Sequence, residues 1–270
     1  MSEQDPETSP SLSNVTGIDA YSPAEIAKRI EDTGVTKAAL PLSKLAMLGL
    51  LAGIFIGLGA AFYTVVITGN NFSFGLTRLL GGAAFSLGLV LVVVGGAELF
   101  TGNNLIVMAW ADRRVATGAL MRNWAVTYVT NAAGGILLAL LVFWSGVFEI
   151  GDVKETAVRI TESKLALDFG EAFFRGVLCN MLVCLAVWLS LAARSVIGKT
   201  IAIVFPISAF VALGFEHSVA NFYLIPAGLF VGAEGGLIDI AANLIPVTLG
   251  NIVGGAGGVA GVYWIIYGRS

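Results

Sequence analysis

The chain has 270 residues, 57% of them hydrophobic and 12% charged, with a net charge of −3 and a mean hydropathy of +0.87. Soluble domains carry about 25% charged residues, so an ordinary soluble protein is excluded, and no basic face exists for nucleic acid. Two cysteines, Cys179 and Cys184, share one apolar stretch five positions apart, which suits neither a disulfide framework nor a metal site.

The first 20 residues are polar and acidic, without the basic start and apolar core of a signal peptide. Asn14-Val15-Thr16 and Asn71-Phe72-Ser73 fit the glycosylation pattern, which is common by chance. Ser22-Pro23-Ala24-Glu25 is a capping box with proline at the first helical position. Ile26, Ala27 and Ile30 then share a face, with Lys28, Arg29, Glu31 and Asp32 elsewhere. This predicts a short amphipathic helix within an N-terminal arm, residues 1–44. It either lies on the membrane surface or covers a pore mouth.

Residues 45–270 read as one transmembrane domain. Charge-free stretches cover 45–77, 79–97, 123–148, 176–193, 200–215 and 240–268, and a bilayer span needs about 20 apolar residues. Six spans follow, at 45–67, 79–110, 117–145, 169–193, 199–232 and 241–266. With both termini in the cytoplasm, 10 of the 15 Lys and Arg residues lie inside, the direction the positive-inside rule favours.

The second and fifth spans are long, and each is interrupted by polar residues. Both interruptions contain Glu-x-x-x-x-Asn, Glu98 to Asn103 and Glu216 to Asn221. Paired interruptions at corresponding places in two halves point to an inverted-repeat fold with a site at the membrane midplane. Buried carboxylates must face protein or a water-filled cavity. Breaks here predict two half-helices starting near Asn103 and Asn221, with Asn as N-cap. Their positive ends would point inward, which suits an anion. His217, the single histidine, stands in the second break and has an ordinary pKa near 6.5.

Other classes fare poorly. His217 and Ser218 are adjacent, so on a helix they point about 100° apart and cannot pair as base and nucleophile. No metalloprotease or nucleophile-elbow motif occurs. The expectation is no enzyme, no metal and no cofactor. Asn-Pro-Ala motifs, which a neutral-solute channel of the aquaporin type would need, do not occur either.

The runs Ala97-Glu98-Leu99-Phe100-Thr101-Gly102-Asn103, Gly176-Val177-Leu178-Cys179-Asn180 with Leu182-Val183-Cys184, and Gly214-Phe215-Glu216-His217-Ser218-Val219-Ala220-Asn221 resemble the formate/nitrite transporter family. The first run looks closest to the formate-dehydrogenase-associated formate channels. The resemblance implies an all-α membrane protein of six transmembrane helices in two inverted three-helix repeats, aquaporin-like, with the second and fifth helices broken. It implies a homopentamer in lipid, in the cell inner membrane, whose protomers each conduct a small monovalent anion. Formate is the expected substrate, with nitrite, hydrosulfide or a short carboxylate as the alternative. By resemblance, Thr101 and His217 are pore residues and Asn180 hydrogen-bonds near the histidine. Lys164 belongs to the outer vestibule. Leu89, Leu99 and Phe100 match a cytoplasmic-side constriction, and Phe85, Val183 and Phe210 a periplasmic-side one. Arg175 departs from the pattern expected in relatives, and faces either the vestibule or a subunit contact.

Overall fold

The structure is a computed structural model and describes residues 20–268. The pattern at Asn14, the reading of the leading residues and Arg269 lie outside that range. Helix α1 (Pro23–Ala38) begins on Ser22 through the capping box: the Glu25 N–H donates to Ser22 Oγ at 3.4 Å, and the Ser22 N–H donates to Glu25 Oε2 at 2.8 Å. Pro41 then restarts the chain as α2 (Leu42–Ile67), so the expected arm boundary at 44 falls inside this helix.

Helix α3 (Phe74–Gly95) stops at Gly96, and a 3₁₀ turn (Gly102–Ile106) leads into the short α4 (Val107–Ala111). Helix α5 (Thr117–Trp144) completes the first half. The second half opens with α6 (Val153–Leu165), a helix where the sequence suggested only a loop. Helices α7 (Phe169–Ala192), α8 (Val196–Leu213), α9 (Ser218–Phe230) and α10 (Leu237–Ile252) follow. A π-helical stretch (Val253–Gly261) then joins α10 to α11 (Val262–Tyr267).

Among the described residues, six helices are long and apolar enough to cross a membrane. Among the described residues there is no strand; an isolated bridge pairs Ala20 with Ala193. The 26 residues of α2 rise about 39 Å, enough for a hydrocarbon core of about 30 Å. The chain is a multi-pass membrane protein.

Both expected breaks are present, and both are made the same way. Gly96 and Gly214 end α3 and α8 with φ of 82° and 72°, a left-handed conformation that costs an L side chain roughly 1–2 kcal/mol. Glycine takes it freely and turns the chain out of the helix.

Each half repeats one plan. A short amphipathic helix (α1 or α6) precedes a span (α2 or α7), a broken span (α3 to α4, or α8 to α9) and a further span (α5 or α10). The repeat is therefore four elements, one more than the three-span unit read from the sequence. Helix α2 packs on α3 and α5, and α7 packs on α8 and α10; the halves join where α3 meets α8 and α5 meets α9. The contacts are close. A Cβ on Gly176 of α7 would stand 2.7 Å from the Val247 carbonyl oxygen of α10, the intimacy that small residues give membrane helices.

Candidate permeation site

Two hydrogen-bond circuits hold the breaks, and they match group for group. In the first half, Asn103 Nδ2 donates to Glu98 Oε2 at 2.8 Å and to Asn123 Oδ1 at 2.9 Å. Lys37 Nζ donates to Glu98 Oε1 at 2.9 Å and to Asn103 Oδ1 at 3.0 Å. Asn123 Nδ2 returns to the Lys37 carbonyl at 3.1 Å. Asn131 bonds the break directly: its Nδ2 donates to the Glu98 carbonyl at 3.0 Å and its Oδ1 accepts the Phe100 N–H at 2.9 Å.

In the second half Asn221 Nδ2 donates to Glu216 Oε2 and to Asn243 Oδ1, each at 2.8 Å. Lys164 Nζ donates to the two Glu216 oxygens at 2.8 and 3.0 Å, and Asn243 Nδ2 returns to the Lys164 carbonyl at 2.9 Å. Asn251 gives Nδ2 to the Glu216 carbonyl at 3.0 Å and takes the Ser218 N–H at 2.9 Å. One difference stands out. Lys37 divides its bonds between Glu98 and Asn103, whereas Lys164 gives both to Glu216, leaving Asn221 Oδ1 buried without a partner.

These circuits correct the expected caps. Asn103 and Asn221 do not cap the half-helices, because their amides are drawn to the carboxylates. Thr101 precedes the 3₁₀ turn, and His217 caps α9, its Nδ1 accepting the Ala220 N–H at 3.0 Å. The first half-helix is also no clean α-helix, since it opens as the 3₁₀ turn. With the Ser218 and Ala220 N–H groups taken by Asn251 and His217, the start of α9 is less open to an anion than expected.

Lys164 is no solvated loop charge. It sits in the last turn of α6 with a side chain 13% exposed. Lys37, Asn123, Asn131, Asn243 and Asn251 were not singled out from the sequence. A signal existed: the third span of each half carries two Asn residues eight positions apart, 123 and 131, then 243 and 251.

Two cavities approach the centre from opposite mouths, as three crossings between α1 and α6 require. The α1-side cavity holds about 310 Å³ and is lined by Lys37, Glu98, Asn103, Leu89 and Leu99 among others. Helix α1 contributes Ile30, Gly34 and Lys37 to this lining and buries Ile26, Ala27 and Ile30. It therefore packs on the protein at the mouth of this cavity. The α6-side cavity holds about 220 Å³ and is lined by Lys164, Arg175, Phe85, Phe210 and His217 among others.

Leu89 and Phe85, which line opposite cavities, are one turn apart on α3. The apolar layer between the cavities is therefore about 6 Å thick along the helix. In that layer Phe85 and Phe210 meet edge to face at 5.5 Å, and His217 stacks on Phe210 at 6.0 Å between centroids. His217 Nε2 and Thr101 Oγ1 are 2.8 Å apart, joining the two breaks. Because Nδ1 accepts from the backbone, the neutral ring carries its proton on Nε2 and donates to Thr101. The Thr101 hydroxyl proton is then available to another acceptor.

Phe100 and Val183 are buried but line neither cavity. Phe100 packs its ring edgewise on Tyr128 at 5.0 Å and on Trp124 at 6.2 Å. Asn180 makes no hydrogen bond to His217. Its Nδ2 donates to the Asn251 carbonyl at 2.7 Å, and to the Thr101 carbonyl and Asn104 Oδ1 at 3.3 Å each. It thus fixes the backbone on which Thr101 sits.

Matching halves, paired breaks and two cavities meeting at a thin apolar layer define a channel-type membrane protein. Comparison with known proteins gives the family: the formate/nitrite transporter description matches residues 24–265, and the chain belongs to the formate/nitrite transporter family. It is 40% identical to the formate channel FocA of Escherichia coli (strain K12), over 93% of this chain and 96% of that protein. It is 37% identical to the formate channel BtFdhC of Bacillus thuringiensis, over 92% and 96%. A solved structure described as a pentameric formate channel with formate bound superposes with a TM-score of 0.76 at 40% identity, covering 84% of this chain and 98% of that one. The family and these relatives are channels and transporters, not enzymes.

Proposed function

We propose that this chain is a formate channel that assembles as a homopentamer, each protomer conducting through its own pore. The names of its relatives support the substrate, and the pentameric relative supports the assembly. Large apolar side chains exposed on the described surface, among them Phe74, Val129 and Phe205, suit lipid and neighbouring subunits. The α1 side faces the cytoplasm in this reading, as the cation bias favours. Helix α1 is its mouthpiece, and α2 to α11 form the conducting domain.

The observation that carries the mechanism is the Thr101–His217 contact within a thin apolar layer. Leu89 and Leu99 bound that layer on one side, and Phe85 and Phe210 on the other. Phe100 and Val183 back it, Asn180 steadies Thr101, and Lys164 with Glu216 holds the second break. A bare anion pays heavily in such a layer. A neutral acid does not, so passage is coupled to a proton at the centre.

His217 in its neutral form has no proton to give away at ordinary cost. It becomes a donor only as the imidazolium, and protonation at Nδ1 displaces the Ala220 N–H. A formate in the α6-side cavity supplies the negative charge that favours this step. The imidazolium passes its Nε2 proton to a formate oxygen, and formic acid crosses. The acid dissociates on the far side into formate and a proton; the ring is left with its proton on Nδ1, and it regains its cap when water adds a proton at Nε2 and removes the one at Nδ1.

Flux of formate into liposomes at two pH values, with nitrite as competitor, tests the reading. His217→Phe removes the donor and should lower proton-coupled uptake by about 100-fold, the scale of a lost general acid. Unchanged pH dependence of flux in that variant removes His217 from the mechanism. Preference for nitrite at both pH values reassigns the substrate.

A further inference from the structure

The two mouths are not equal in charge. In the α1-side cavity Lys37 faces Glu98, and the charges cancel. The α6-side cavity is lined by three cations, Arg78, Lys164 and Arg175, against one carboxylate, Glu216. Lys164 is consumed by Glu216, both of whose oxygens it bonds. Arg175 is paired through NH2 with Glu171 at 2.8 Å, and through NH1 donates to the Gly214 carbonyl at 3.4 Å. Arg78 has no carboxylate partner among the described residues. Its guanidinium is instead steadied by stacking over Phe74, 5.2 Å from the ring centroid.

Gly214 sets the two arginines together. A side chain there would begin 3.6 Å from an Arg78 nitrogen and 4.0 Å from an Arg175 nitrogen. Apart from its own chain neighbours, nothing else approaches that point within 4 Å. The bare face of Gly214 is thus a notch flanked by two planar guanidinium groups, and it opens onto the cavity that leads to His217. Guanidinium groups present parallel N–H donors that match the two oxygens of a carboxylate.

We propose that Arg78 and Arg175, flanking Gly214, form a reception site for a small monocarboxylate, which an anion occupies before it reaches His217. The inference deepens the formate-channel reading and rests on it for the identity of the permeant. Arg78 supplies the uncompensated charge, and Arg175 the second fork. Lys164, committed to Glu216, holds the break and does not receive the anion.

The test is binding of ¹³C-formate to the full-length protein in lipid nanodiscs, followed by NMR titration. Losing one charge-assisted contact should weaken binding about tenfold or more in Arg78→Gln. Arg175→Gln should weaken it less, because Glu171 already draws on that guanidinium. Arg78→Lys keeps the charge without the fork and should fall between wild type and Arg78→Gln, which guards against misreading a folding defect. His217→Phe should retain the Arg78-dependent component. In liposomes, Arg78→Gln should raise the half-saturating formate concentration by a larger factor than it lowers the maximal flux. Equal binding in wild type and Arg78→Gln, or displacement of formate by chloride at equal concentration, overturns the site. Arg78-dependent binding without formate flux in the wild type leaves the site standing and removes the channel reading. Flux with binding indifferent to Arg78 does the reverse.

Discussion

Each break carries a lysine–glutamate pair, and the two pairs differ in their access to water. The Lys164 and Glu216 side chains are 13% and 6% exposed, while Lys37 keeps 28% beside Glu98. Removing one member of a buried pair strands the other, at about 3–5 kcal/mol. Glu216→Ala should therefore lower the thermal midpoint of the purified assembly more than Glu98→Ala. In the latter Lys37 retains Asn103 Oδ1 and some water. An equal or reversed order would mean that the second pair is not the drier one in the assembled protein. At this scale the sequence exposed the Glu–Asn pairs, because they sit five positions apart inside charge-free stretches. Their pairing with lysines was hidden by distance, 61 and 52 positions; Lys164 was named only through resemblance, and for the vestibule rather than as the partner of Glu216. Nothing local marks Lys37 as more than one of many cations near a span end. The four supporting asparagines were hidden differently: they stand as isolated polar residues, two to an apolar span, and only the shared spacing across the two halves betrays them.

Among the elements, α1 was legible and α6 was not. Helix α1 announces itself by a capping box whose bonds are all present. The α6 cap, Asp152, makes no side-chain bond to its helix, so its start carries no such signature. The carboxylates of α1 also respond to acid in opposite directions. The Ser22 backbone N–H, then its hydroxyl, hold Glu25 below its ordinary value, so its contribution is lost as pH falls through that lowered pKa. Burial first, and then the nearby Asp112 carboxylate, push Glu31 above its ordinary value despite Arg114. A raised acid binds its proton more tightly in the docked helix. Docking is thus favoured below Glu31's ordinary pKa, and that contribution fades as pH rises through the raised one. Glu31→Gln should remove the fading and make amide exchange of α1 slower at neutral pH; an unchanged rate would mean that Glu31 does not control docking. Ser22→Ala should cost the helix about 1 kcal/mol, seen as faster exchange in its first turn.

For the whole molecule, the sequence delivered the six crossings within a few residues, because bilayer thickness fixes their length. It could not deliver the cavities, which arise from side chains of distant elements meeting at the centre. Orientation is open to direct test, since Cys179 and Cys184 are both buried and give little labelling background. Lys28 and Lys154 are exposed on α1 and α6. In the proposed orientation, a cysteine replacing Lys154 reacts with an impermeant maleimide on intact cells. One replacing Lys28 reacts only after permeabilisation, and the opposite pattern inverts the topology.

The duplicated circuits carry one more implication. In the channel reading proposed above, with the two halves inverted, a permeant would meet matching circuits at the centre from either direction, and traffic would run both ways. Any rectification must then come from what the halves do not share, and the unmatched arginine at one entrance is the plainest such asymmetry.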